Sequence, residues 1–224
     1  MDIRTREGCP VRKDGGLVVR LRRRPGITEA LKRYEGIVVP PRVGGHWAGE
    51  FGRPAPLYVE LGTGKGAFLS ELAAREPTVS FIGIEAQREV LYQAAKRMAA
   101  REAANVRLLL FDAEGIADIF APGEVDRLYI NFCDPWPKKR HARRRLTGER
   151  FLARYRLIMA TGGELHFKTD NADLFTFSLA EFAREGLEVR NVMFDLPPGG
   201  VMTEYEEKFR ALGTKIHRCE VVFP

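Results

Sequence analysis

The sequence predicts an α/β fold, a doubly wound sheet that is mostly parallel with an antiparallel last strand. Three observations carry this. Short apolar, β-rich runs alternate with helical-period stretches from residue 57 onward. A glycine-rich turn follows the first run directly. Several later runs stop at a carboxylate, at the edge where open α/β sheets bind ligands.

Residues 1–41 are read as a basic amino-terminal arm and 42–224 as one domain. Arg20, Arg22, Arg23 and Arg24 cluster before Pro25-Gly26, which suits either a solvated tail or an RNA-contacting arm. Residues 26–34 are expected to start a short helix capped by Thr28. Residues 40–56, with four prolines and four glycines, read as a connector.

The first strand is Leu57–Leu61, and Gly62-Thr-Gly-Lys-Gly66 leads from it into helical Ala67–Ala74. Glycine lets backbone approach a ligand closely, and a helix start offers free N–H groups. A second strand, 79–84, ends at Glu85, placed to accept from both hydroxyls of a ribose. A third, 106–111, ends at Asp112, and a short helix over 113–120 follows. The fourth strand, 124–132, is apolar on both faces, as a buried parallel strand is, and ends at Asp134. Pro135 and Pro137 push Asp134 and Trp136 toward extended geometry. Thr147 is expected to cap a helix over 148–159, with Phe151, Leu152, Tyr155 and Ile158 on its buried face. Thr161-Gly-Gly reads as that helix's end. A strand over 164–168 runs into Thr169-Asp170-Asn171. A helix over 172–184, a strand near 187–194, a helix over 205–212 and a last strand over 215–223 complete the chain.

The chain has 224 residues, 45% hydrophobic and 29% charged, which suits one globular domain. A net charge of +6 and a pI near 9.4 favour a polyanionic partner, nucleic acid or an anionic membrane surface. No apolar run reaches the roughly 20 residues of a membrane span, and the start lacks the apolar core of a secretory signal, so a cytoplasmic protein is expected. Cys9, Cys133 and Cys219 lack disulfide or zinc spacing and are read as reduced thiols. No metal constellation surrounds His141, and a monomer or homodimer is compatible with the sequence.

Gly62, Gly64 and Ala67 also satisfy a loose dinucleotide fingerprint, which alone would suggest an NAD-dependent oxidoreductase. Charge argues otherwise. Glu60, Glu85, Asp112 and Asp134 lie near successive strand ends and would repel a pyrophosphate. They suit a cationic ligand with a ribose and an adenine, an inventory that S-adenosyl-L-methionine fits. Beyond Asp134, Lys138, Lys139, Arg140, Arg143, Arg144 and Arg145 make six cations in eight residues with no acid among them, a surface for phosphates. Trp136 either stacks on a target base or packs beneath the loop.

Asn131-Phe-Cys-Asp-Pro-Trp-Pro-Lys-Lys-Arg-His141, with Glu60 to Gly66, Gly83-Ile-Glu85, Asp112-Ala, Phe167-Lys-Thr-Asp170 and Thr203-Glu-Tyr-Glu206, resembles the bacterial tRNA (guanine-N7-)-methyltransferase family over about residues 58–223. The resemblance implies a Rossmann-like class I methyltransferase fold, S-adenosyl-L-methionine as donor, and methyl transfer to guanine N7 in the variable loop of tRNA. It implies that Glu60, Glu85, Asp112 and Asp134 contact the cofactor along the loop of Gly62, Gly64 and Gly66, and that Asp134 is also catalytic. Lys138, Asp170, Thr203, Glu204, Tyr205 and Glu206 resemble substrate-binding positions. Asp170 and Glu206 are candidates to accept the guanine N1–H and amine, and Asp170 is alternatively a helix cap. Arg140, His141, Ala142, Arg143, Arg144 and Arg145 resemble the RNA-binding segment. Cys133 departs from the family's proline or serine; it lacks an evident base partner and is not expected to be a nucleophile. A non-catalytic RNA-binding protein on the same scaffold is a further alternative.

Overall fold

The computed structural model describes residues 26–224; Cys9 and the arginine cluster at 20–24 lie outside them. In chain order the elements are α1 (Ile27–Lys32), α2 (Ala48–Phe51), β1 (Leu57–Leu61), α3 (Ala67–Arg75), β2 (Ser80–Glu85), α4 (Arg88–Ala100), β3 (Val106–Leu110), a 3-10 turn (Ala113–Asp118), β4 (Val125–Asn131), a second 3-10 turn (Lys139–Arg144), α5 (Glu149–Ile158), β5 (Met159–Thr169), α6 (Ala172–Arg184), β6 (Glu188–Met193), α7 (Glu204–Ala211) and β7 (His217–Val222).

The apolar runs pair into one seven-stranded sheet, ordered β3-β2-β1-β4-β5-β7-β6. The five strands from β3 to β5 are parallel, and β7 runs antiparallel to both β5 and β6. Alternation along each strand separates two cores. Val59, Ile82, Ile84, Leu109, Leu128 and Ile130 face α5 and α6, while Phe81, Leu108 and Tyr129 face α3 and α4. The chain winds from β1 out to β3 and returns beside β1 as β4, so strand order reverses between β1 and β4. In doubly wound sheets that reversal opens a ligand crevice at the carboxyl edge.

Several local expectations are corrected. Gly26, not Thr28, is the cap position of α1, and Thr28 Oγ1 instead accepts from Arg88. Thr147 is buried with its hydroxyl 2.6 Å from Ser178 Oγ, and Gly148 takes the cap position of α5. A carboxylate from α6 supplies the missing acceptor, Glu149 N donating to Glu181 Oε2 at 2.9 Å. The Thr161-Gly-Gly stretch lies within β5, which begins directly after α5. The expected connector holds a core residue: Trp47 is fully buried and its indole N–H donates to Ile119 O at 2.8 Å. α1 packs on α4, with Leu31 buried, and the chain then runs along the β3 edge, where Val39 is buried and its N–H donates to Leu108 O at 3.0 Å. The longest helical segment on the β2–β3 crossover, α4, has no counterpart among the elements expected above.

Candidate active site

The penultimate residue of β1 is Glu60, whose carboxylate is buried between two donors. Thr63 Oγ1 donates to Oε2 at 2.7 Å, and Asn131 Nδ2 from the end of β4 donates to Oε1 at 2.9 Å. Glu60 therefore stitches the two strands that flank the crevice. Burial pushes its carboxyl up to about 7 despite those hydrogen bonds. Gly66 turns the chain into α3 at φ 75°, and a Cβ there would lie 2.9 Å from Met98 Cε and 3.1 Å from Ala94 Cβ. Only glycine allows that turn to sit so tightly on α4. At Gly62 and Gly64 a Cβ would meet open space or only loop backbone.

At the end of β2, Glu85 Oε2 accepts from Gly64 N at 3.1 Å and Oε1 from Gln87 N at 2.9 Å. Burial raises its pKa, opposed by these backbone donors. Asp112 is exposed after β3 and caps the first 3-10 turn through Glu114 N at 2.9 Å. The Asn131 Oδ1 atom, beside Glu60, is buried without a partner among the described residues. S-adenosylmethionine fits this donor set: carboxylates suit its ammonium and ribose diol, and its N–H groups match the orphaned amide oxygen. Lys65, the loop's one cation, is paired with Glu204 at 3.3 Å.

After β4 the backbone turns sharply. Phe132 has φ 53° and Trp136 φ 42°, a left-handed conformation that costs a non-glycine residue about 1–3 kcal/mol. The extended geometry expected for Trp136 before Pro137 is thus replaced by a strained turn. Asp134 is exposed at its apex. The turn is held by Arg145, whose Nε donates to Pro135 O and whose Nη2 donates to Trp136 O, both at 3.1 Å. The Trp136 ring is half-buried, with the Arg144 guanidinium 4.8 Å from its centre and the His141 ring 5.7 Å away, edge-on.

Lys138, Lys139, Arg140, Arg143 and Arg144 are exposed on the second 3-10 turn and its lead-in, while His141, Ala142 and Arg145 are half-buried. Partial desolvation, then the charges of Arg140, Arg144 and Lys138, hold the His141 imidazole below its ordinary range. Burial, with Asp134 beside it, pushes the Cys133 thiol up to about 12, where it is no nucleophile at neutral pH.

The third wall comes from β5 and α7. Asn171, not Asp170, caps α6 through Leu174 N at 2.7 Å. Asp170 instead accepts from the Tyr205 hydroxyl at 3.2 Å. Thr203 caps α7 through Glu206 N at 2.9 Å. Glu206 is fully buried: Oε2 accepts from Lys168 Nζ at 3.0 Å and Oε1 from Arg210 at 2.8 Å. A guanine edge has no open path to it, so among the expected guanine acceptors Asp170 alone is half-exposed. Lys168, Arg210 and Asn131 are site residues to which sequence reasoning assigned no role. Lys168 and Asn131 lay inside quoted motifs, but their partners are distant in sequence. Among the described residues no cluster of three or more His, Cys, Asp or Glu could hold a metal, and no helix is long and apolar enough to cross a membrane.

A mostly parallel seven-stranded sheet, a glycine loop after its first strand and carboxylates along the edge at the β1/β4 reversal define a Rossmann-like class I methyltransferase. Solved structures agree on the fold: the 16S rRNA methyltransferase KamB superposes with TM-score 0.60 at 14% identity, covering 82% of this chain and 99% of that one. An antibiotic-related methyltransferase gives TM-score 0.57 at 18% identity, covering 77% and 89%. A family model described as "Putative methyltransferase" matches residues 54–219. A tRNA (guanine-N(7)-)-methyltransferase of Halalkalibacterium halodurans is 46% identical over 211 residues, 92% of this chain and 96% of the relative. One of Bacillus subtilis is 46% identical over 209 residues, 91% and 98%. The chain belongs to the bacterial tRNA (guanine-N7-)-methyltransferase family.

Proposed function

We propose that this protein is a cytoplasmic tRNA (guanine(46)-N7)-methyltransferase that uses S-adenosyl-L-methionine. The observation that carries the reading is the position of Asp134. It is exposed just past the end of β4, the strand beside β1 with its glycine loop, and it shortly precedes the cations Lys138, Lys139, Arg140, Arg143 and Arg144, which form no ion pair among the described residues. One turn thereby joins a carboxylate crevice to a phosphate-binding surface.

Bound S-adenosylmethionine supplies an electrophilic methyl group. Guanine N7 carries a free lone pair at neutral pH, so the protein removes no proton before attack, and its work is alignment. Positive charge develops on the purine as the methyl arrives. Asp134, fixed by the strained turn, is placed to offset that charge and to accept from the guanine edge. Asp170, aligned by the Tyr205 hydroxyl, is the second acceptor for the base. Glu206 acts at one remove: its pair with Lys168 holds the start of α7, and with it Thr203 to Tyr205, against β5. Arg140, Arg143 and Arg144 hold the RNA backbone.

Two measurements test this. Equilibrium binding should favour S-adenosylmethionine strongly over NAD, because the crevice is acidic. Unmodified tRNA incubated with methyl-labelled donor should then yield label in N7-methylguanosine. Preference for NAD, or label in another nucleoside, contradicts the proposal.

A further inference from the structure

We infer that Arg145 is a positioning residue for the Asp134 turn and not a phosphate ligand, so that it governs the rate of methyl transfer and leaves the affinity for RNA unchanged. The inference rests on the function proposed above and divides the basic segment into two jobs. Arg140, Arg143 and Arg144 are exposed, whereas Arg145 is half-buried and points back into the fold.

The turn it holds cannot hold itself. Pro135 and Pro137 have no N–H, and no backbone donor among the described residues reaches the carbonyl of Pro135 or Trp136. Trp136 is at φ 42° between them. The Arg145 guanidinium supplies the missing donors, Nε to one oxygen and Nη2 to the next, each at 3.1 Å. Its face lies 4.2 Å from the centre of the Phe177 ring on α6. Two hydrogen bonds and one stacking contact therefore tie the Asp134 turn to the helix layer beneath it. The planar fork presents its donors to the two neighbouring carbonyls in a fixed geometry while its face packs on Phe177, a combination that a lysine ammonium on a flexible stem does not reproduce. Two of its five N–H donors are committed to the turn and its face to Phe177, which sets it apart from the exposed Arg140, Arg143 and Arg144.

The test uses Arg145→Ala and Arg145→Lys in single-turnover methylation at saturating donor and tRNA, with tRNA affinity followed against salt. The rate should fall roughly ten- to hundredfold in both variants, since small misplacements of a reacting group cost that much. The slope of log Kd against log salt should match wild type, and methylguanidine should restore rate to the alanine variant. A wild-type rate in either variant overturns the inference. So does a salt slope reduced by about one phosphate contact, or a rate loss that methylguanidine leaves in place. A readout independent of methylation separates this claim from its parent. Trp47 is fully buried, so acrylamide quenching reports mainly on Trp136, and it should rise in both variants. Unchanged quenching sinks the role of Arg145; a wild-type protein that methylates no tRNA sinks the proposed function.

Discussion

Glu60 sets burial against charge, with two hydrogen bonds on its carboxylate and a pKa raised to about 7 from 4.5, first by desolvation. The folded protein then keeps a proton that the unfolded chain releases between those values. Stability from this group is fully present below pH 4.5 and is lost as pH rises through 7, by roughly 3 kcal/mol. Glu60→Gln, neutral at every pH, removes that dependence. Urea melts of both proteins should show the variant gaining on wild type between pH 5 and 8, and a gap that does not move with pH contradicts the account. Glu60 was identifiable from its place at a strand end, but not its partners. Asn131 lies 71 positions away in the chain, a separation that local sequence patterns cannot register. The same holds for Lys168 and Glu206, 38 positions apart. Sequence chemistry made Glu206 a candidate for the guanine because a carboxylate matches amine donors; in the fold its two oxygens accept from Lys168 and Arg210.

Among elements, the segment after β4 was the most legible and also the most revised. Its acid, its prolines and its cations were evident from residue type alone. Which cations face solvent was not, because that depends on Phe177 from α6 lying beneath Arg145. Trp136 departs from its local preference for the same reason: contacts from Arg144 and Arg145 outweigh the steric bias of a following proline. The capping errors share a cause. Thr28 and Thr147 have the right chemistry for caps, yet tertiary partners claim both hydroxyls. Asn171 and Thr203, with no such competitor, do cap their helices. With Arg145 assigned to the turn, Arg140 and Arg143 become the residues to neutralise. The pair of glutamine substitutions should weaken tRNA binding and lower the salt slope by about 1.4 to 1.8, with S-adenosylmethionine affinity unchanged. An unaltered slope would show that phosphate binding lies elsewhere.

At the scale of the whole molecule, alternation of strand and helix foretold a doubly wound sheet, and the sheet has the expected mostly parallel form. The antiparallel last strand also follows the sequence, but its position does not. β7 inserts between β5 and β6, an order that no local signal encodes. Strand order is what makes the site: β1 and β4 are neighbours, so the glycine loop and the Asp134 turn meet at one edge although some 70 residues of chain separate them. We propose that this edge methylates guanine N7 and that Asp134 assists by charge. Single-turnover methylation of unmodified tRNA, at saturating donor and tRNA and with the product base mapped, tests it most directly. Wild type should place the methyl group on N7 of guanine 46, and Asp134→Asn should do so roughly a hundredfold more slowly. A near-normal rate for Asp134→Asn, or a methyl group on any other atom, would contradict it.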